Sequence, residues 1–152
     1  MKSWVMAACA LGALLACGHA AAQFKDAEDA IDYRQGAMHV MGNHFGRIGA
    51  MVNDKVPFDA KSVQVNAEIV ATLVKLPWAG FIEGSDKGET HAKPEVWSQA
   101  EKFKAAAQKV QDEVAKLSDA AKTGDKDKIK AAFGGVGQAC KGCHDNFQKK
   151  HS

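Results

Sequence analysis

Ile31, Arg34, Met38, Met41, Phe45, Ile48 and Val52 fall at alternating steps of three and four residues. Such spacing lays one stripe of side chains along a helix, and a stripe of that kind is stable only when other helices cover it. Three further stretches carry similar patterns. A second helix is expected from about Asp59 to Leu76, ended by Pro77, with Asn66, Ile69, Leu73 and Leu76 as its stripe. A third starts at Pro94 and carries Val96, Ala100, Phe103, Ala107, Val110, Val114, Leu117 and Ala121 up to Gly124. The fourth runs through Ile129, Phe133, Val136, Cys140, Cys143 and Phe147. Asp26, Asp59 and Asp125 stand where helix N-caps belong, and no segment alternates as a strand does. Short first and third connections then predict an all-α fold, an antiparallel four-helix bundle.

The last helix contains Cys140-Lys141-Gly142-Cys143-His144. Cys-x-x-Cys-His is the attachment signature of haem c, in which two thiols form thioethers and the imidazole takes the iron as proximal ligand. Positions i, i+3 and i+4 share a helix face, so all three groups address one flat cofactor. A thioredoxin-type reading needs a βαβ context, and a zinc reading needs a second ligand pair nearby; the sequence offers neither. Both cysteines lie on the stripe of the fourth helix, which puts the haem inside the bundle.

The N-terminus fits an exported protein. Lys2, the apolar run Trp4 to Ala16, and Ala20-Ala21-Ala22 before Gln23 have the form of a secretory signal peptide, residues 1–22, cleaved after Ala22. It is too short for a membrane span. Leu14-Leu15-Ala16-Cys17 loosely resembles a lipoprotein box, but the Ala-x-Ala site is the better match, and a soluble periplasmic haem domain over residues 23–152 is expected. Its two cysteines are those of the haem motif, which leaves none for a disulfide. The 20 basic residues nearly balance the 18 acidic ones, with no basic field for nucleic acid.

Arg34 sits on the apolar stripe of helix one, where an unpaired charge is costly. It either pairs with a haem propionate or snorkels toward Asp32 or Glu28. Gly134, Gly135 and Gly137 each cost about 1 kcal/mol relative to Ala within a helix, so close packing against the porphyrin is expected there. The long connection from Trp78 to Lys93 is expected to cross the bundle and cover part of the haem.

Several further motifs occur in order: Gln23-Phe24, Tyr33-Arg34-Gln35, His44-Phe45-Gly46-Arg47, Leu76-Pro77-Trp78, Ala92-Lys93-Pro94 and Val96-Trp97-Ser98. With Cys140-Lys141-Gly142-Cys143-His144-Asp145 they make the mature chain resemble the cytochromes c′, periplasmic four-helix-bundle haem proteins, over nearly its full length. The resemblance implies one covalent haem c per chain, Arg34 and Gln35 on the propionate side, and Thr90 and His91 along the haem edge. It places Met38 over the distal face.

The sixth iron position separates the functional classes. Met51 is the last methionine, so any sulfur ligand must come from helix one. With Met38 as a non-bonding lid the iron is five-coordinate and high-spin, open to NO and CO. With Met38 bound, the protein is a low-spin electron carrier. An enzyme is the weakest class, because no general acid or base falls on the expected distal face. Family members commonly carry Arg or Lys four residues after the histidine; here that position is Gln148. Gly42, Gly46 and Gly49 form a small-residue stripe that serves either a homodimer of first helices, as the resemblance implies, or packing on helix two. His39 and His44 read as surface or interhelical groups.

Overall fold

The computed structural model describes residues 23–150; the expected signal peptide, residues 1–22, lies outside the described residues. Helix α1 spans Ala27–Val52, α2 Ala60–Leu73, α3 Glu95–Ser98, α4 Ala100–Lys122 and α5 Lys126–Phe147, with a 3-10 turn at Pro77–Gly80. No strand forms among the described residues. The four long helices make the expected bundle: α1 packs on α2, α2 on α4 and α4 on α5. All three expected N-caps form. The carboxylates of Asp26, Asp59 and Asp125 accept from the backbone N–H of Asp29, Ser62 and both Asp127 and Lys128, satisfying donors that the helix itself cannot.

Two boundaries differ from the expectation. Helix α2 stops at Leu73, three residues early, because Pro77 has no N–H to give to the Leu73 carbonyl. The N–H of Leu76 takes that carbonyl instead at 3.0 Å, and the chain tightens toward the 3-10 turn. The buried face of α2 is also turned from the expected stripe. Val63, Asn66, Ala67 and Val70 are buried, while Leu76 is 37% exposed. The expected third helix is broken at Gln99 (φ −122°, ψ 45°). This break lets α3 turn Val96 inward and bring the Trp97 indole N–H onto the Ile82 carbonyl at 3.1 Å. Beyond it α4 buries Ala107, Val110, Val114, Leu117 and Ala121 in the expected rhythm.

The core runs the length of the bundle as one cluster, from Ile48 and Val52 to Val96, Cys143 and Phe147. Ile48, Val52, Val63, Leu117 and Ile129 are all fully buried where the α1–α2 and α4–α5 connections meet. Lys126 at the start of α5 pairs there with Asp54 beyond the end of α1. Nearer the middle, α1 and α5 touch through Phe45 and Phe133, whose rings stack at 4.2 Å. Gly49 permits this, since a Cβ on it would lie 2.7 Å from the Phe133 ring. Gly49 therefore faces α5, away from the stripe expected with Gly42 and Gly46, around which no atom lies within 4 Å of a Cβ position. The glycines of α5 are likewise not pressed by protein at Gly134 and Gly137, and a Cβ on Gly135 would meet the Glu113 carboxylate of α4.

Candidate functional site

At the other end of the bundle the helices enclose a cavity of about 560 Å³. That is within the range of pockets that bury a cofactor-sized molecule. Helix α1 supplies Arg34, Gln35, Met38 and His39; the connection supplies Phe81, Thr90, His91 and Ala92. Val96 and Phe103 form the back wall, and α5 contributes Cys143, His144, Phe147 and Gln148. Seven of the eight residues expected to hold the cofactor thus line one space. The eighth, Cys140, is half-buried against the core one turn before Cys143.

Part of the wall is an aromatic cluster. Phe103 meets Phe81 at 4.7 Å and Phe147 at 5.2 Å between ring centroids, both edge-on. Desolvation dominates the titration of Cys140, Cys143 and His144. Burial pushes the Cys143 thiol up to about 11, with the proximity of Cys140 adding to it, and raises Cys140 as well. Burial also pushes His144 below the ordinary histidine value, partly opposed by Asp145. A neutral imidazole has the free lone pair that a metal requires. Among the described residues no three His, Cys, Asp or Glu gather as a metal cluster, so what α5 offers is a single imidazole beside two thiols.

Arg34 is 2% exposed and does not snorkel. Its guanidinium lies 4.4 Å from the Phe81 ring centroid, and its terminal nitrogens donate four hydrogen bonds to the connection. One donates to the Gly80 carbonyl at 2.6 Å and the Ser85 hydroxyl at 2.7 Å; the other donates to the Ser85 carbonyl and the Thr90 hydroxyl, each at 2.7 Å. No carboxylate of the described residues pairs with it, and its desolvation lowers its pKa. Both hydrogens of each terminal nitrogen of this buried cation are thus taken by neutral acceptors of the connection. Gln35 also holds the connection, donating to the Glu89 carbonyl at 2.9 Å. Ser85 and Gly80 were not legible as site residues, because their partner Arg34 lies 46 or more positions away.

The rest of the rim is backbone. Ala92 and Gln148 form an isolated antiparallel bridge. Around it Lys93 donates to the Phe147 carbonyl at 2.9 Å and Lys149 to the His91 carbonyl at 2.8 Å. His44, by contrast, is interhelical, with Nδ1 2.8 Å from Asn66 Oδ1.

The sequence profile described as cytochrome c′ matches residues 29–148. The chain belongs to the cytochrome c′ family. Cytochrome c′ of Rubrivivax gelatinosus is 55% identical over 129 residues, covering 84% of this chain and 100% of that protein. Its crystal structure superposes with a TM-score of 0.81. The nitric oxide complex of a leucine-to-alanine variant of the Alcaligenes xylosoxidans protein is 47% identical, covers 85% of this chain and 100% of its own, and gives a TM-score of 0.80. A carbon-monoxide-bound leucine-to-glycine variant of the same protein is 48% identical, with coverage of 84% and 100% and a TM-score of 0.80. As a cytochrome c′, the chain is a c-type haem protein, and haem c, covalently attached, is its cofactor. No helix among the described residues is long and apolar enough to cross a membrane.

Proposed function

We propose that Cys140 and Cys143 form the two thioethers, that His144 is the proximal ligand, and that Met38 covers the opposite face without binding. The iron is then five-coordinate and high-spin, and the protein binds NO and CO. The observation that carries this reading is the placement of His144 and Met38, on α5 and α1, in one apolar slot. When bound, the haem would supply the iron at which a diatomic gas is taken up. The chain does the rest. Phe81, Val96 and Phe103 keep water out, and the Met38 thioether offers a distal guest no hydrogen-bond donor. That environment favours small uncharged diatomics over water and anions. The NO and CO complexes of the Alcaligenes relative support the same choice.

Arg34 and Gln35 are the groups we assign to the propionate side, as the resemblance implies, and both line the slot. Thr90 and His91 form the rim along the haem edge. Gln148 lines the slot as a neutral donor, so the proximal side lacks the cation common in the family. Residues 1–22 act as the signal peptide, and the mature domain works in the periplasm, buffering NO rather than catalysing a reaction. A homodimer forms through α1, where Val40 is 44% exposed and Gly42 and Gly46 leave open space.

Optical and EPR spectra of the ferric and ferrous protein, with and without NO, test the reading. High-spin ferrous haem that converts to a nitrosyl form is the expected result. Low-spin spectra with a sulfur-to-iron charge-transfer band and no response to CO would overturn it in favour of Met38 ligation and electron transfer.

A further inference from the structure

Arg34, Ser85 and Thr90 join parts of the molecule that otherwise meet at a distance. Arg34 is one turn before Met38 on α1. Its four bonds end on Gly80, Ser85 and Thr90. Ser85 is fully buried in an otherwise polar connection, and its hydroxyl donates onward to the Ile82 carbonyl at 2.8 Å. Thr90 is the junction. Its hydroxyl accepts from Arg34 and from the Ala92 N–H at 3.1 Å, and its carbonyl accepts from Lys149 Nζ at 3.2 Å. From Thr90 the backbone passes directly into the bridge between Ala92 and Gln148. Gln148 in turn donates its N–H to the His144 carbonyl at 3.0 Å. A chain of hydrogen bonds therefore runs from the helix that carries Met38 to the turn that carries His144.

We infer that Ser85 and Thr90, held by Arg34, form a polar latch that sets the width of the slot between α1 and the end of α5, and so controls access of a diatomic ligand to the distal face. The inference rests on the haem reading above. Helices α1 and α5 stack on each other below the slot, at Phe45 and Phe133. Beside the slot, the latch joins α1 to the end of α5 through the connection. Ser85 and Thr90 are positioning residues here: they act through Arg34 and the strap. The hydrogen bonds are charge-assisted and shielded from water, which makes them strong enough to hold two helix segments in register. Loss of one of them raises the population of open conformers by the free energy of that bond.

The test is flash photolysis of the ferrous CO complex of the holoprotein in Thr90→Val, Thr90→Ser and Ser85→Ala. Thr90→Val keeps the shape and removes the acceptor; Thr90→Ser restores it. Association should be about tenfold faster in Thr90→Val and within about twofold of wild type in Thr90→Ser, with Ser85→Ala intermediate. A Thr90→Val protein with a lowered Tm but unchanged CO association would reduce the network to ordinary stabilisation and overturn the latch. Should Thr90→Val yield no holoprotein, Ser85→Ala distinguishes a latch from plain stabilisation by the same measurement. The pyridine haemochrome spectrum of the wild type is recorded first. Absence of thioether-linked haem would remove the functional reading itself and the latch with it, whereas normal attachment with unaltered kinetics removes the latch alone.

Discussion

Gly80 is the position where a single methyl group should do most damage for its size. It ends the 3-10 turn against α1, and a Cβ there would lie 2.5 Å from the Ala30 carbonyl oxygen and 2.9 Å from Arg34 Cβ. Carbon and oxygen normally approach to about 3.3 Å, so in Gly80→Ala the turn must withdraw from α1 by close to an ångström. The obstacle is helix backbone, which cannot rotate out of the way. Overpacking of this kind costs about 1–3 kcal/mol. The same withdrawal stretches the 2.6 Å bond from Arg34 to the Gly80 carbonyl, which adds about 1 kcal/mol. The expected loss is about 3 kcal/mol, or about 10 °C in Tm for a domain of this size. Urea unfolding of the holoprotein followed by circular dichroism measures it. Gly36→Ala, on the exposed face of α1, is the control, since nothing lies within 4 Å of its Cβ, and it should gain about 0.5–1 kcal/mol as glycine leaves a helix interior. A Gly80→Ala protein within about 0.5 kcal/mol of wild type would refute the packing argument.

Phe133→Ala removes one ring of the α1–α5 stack and should lower stability by about 3 kcal/mol; an unchanged urea midpoint would show that the stack contributes nothing. Met38→Ala should speed CO association by about tenfold or more as the lid is cut back, whereas a ligating Met38 would announce itself by a change from low to high spin in the unliganded protein. Acid should weaken the fold through its caps. The backbone N–H groups of Ser62 and Lys128 hold Asp59 and Asp125 below their ordinary value of 3.8. The stabilisation is therefore complete above the ordinary carboxylate range and fades as pH falls through the lowered folded-state values. The double variant Asp59→Ala/Asp125→Ala should show a flatter fall in urea midpoint between about pH 5 and pH 2; a fall as steep as in wild type would contradict this.

The bundle was legible because a stripe at steps of three and four survives without knowledge of its partner, as in Ala107, Val110, Val114, Leu117 and Ala121. Cys143 and His144 were legible for a similar reason: their chemistry is local, fixed by spacing on one helix. The face of α2 was not, because Val63 and Val70 compete with Ile69 and Leu73 for the same stripe, and only the neighbouring helices decide between them. Arg34 was visible as an anomaly on an apolar face, but its partners were not. Ser85 has no periodicity, and nothing local marks it as buried. Gly134 and Gly137 have no protein atom pressing on them, so the spacing alone could not say what their lack of a side chain serves. Residues that act across 46 to 59 positions leave no mark in a window of a few turns.

The core and the cofactor slot share the walls Val96, Cys143 and Phe147, yet their two ends are closed in different ways. One end of the bundle, around Ile48, Leu117 and Ile129, is closed by side chains alone and has the means to form before any cofactor arrives. The other end is a frame of helix ends, connection and final turn, whose edges come together only once residue 34 has met residues 80 to 90 and these have met the segment after His144. Damage at the two ends will look different: around Ile48 and Leu117 it is read in stability alone, and around the slot in stability and haem environment together.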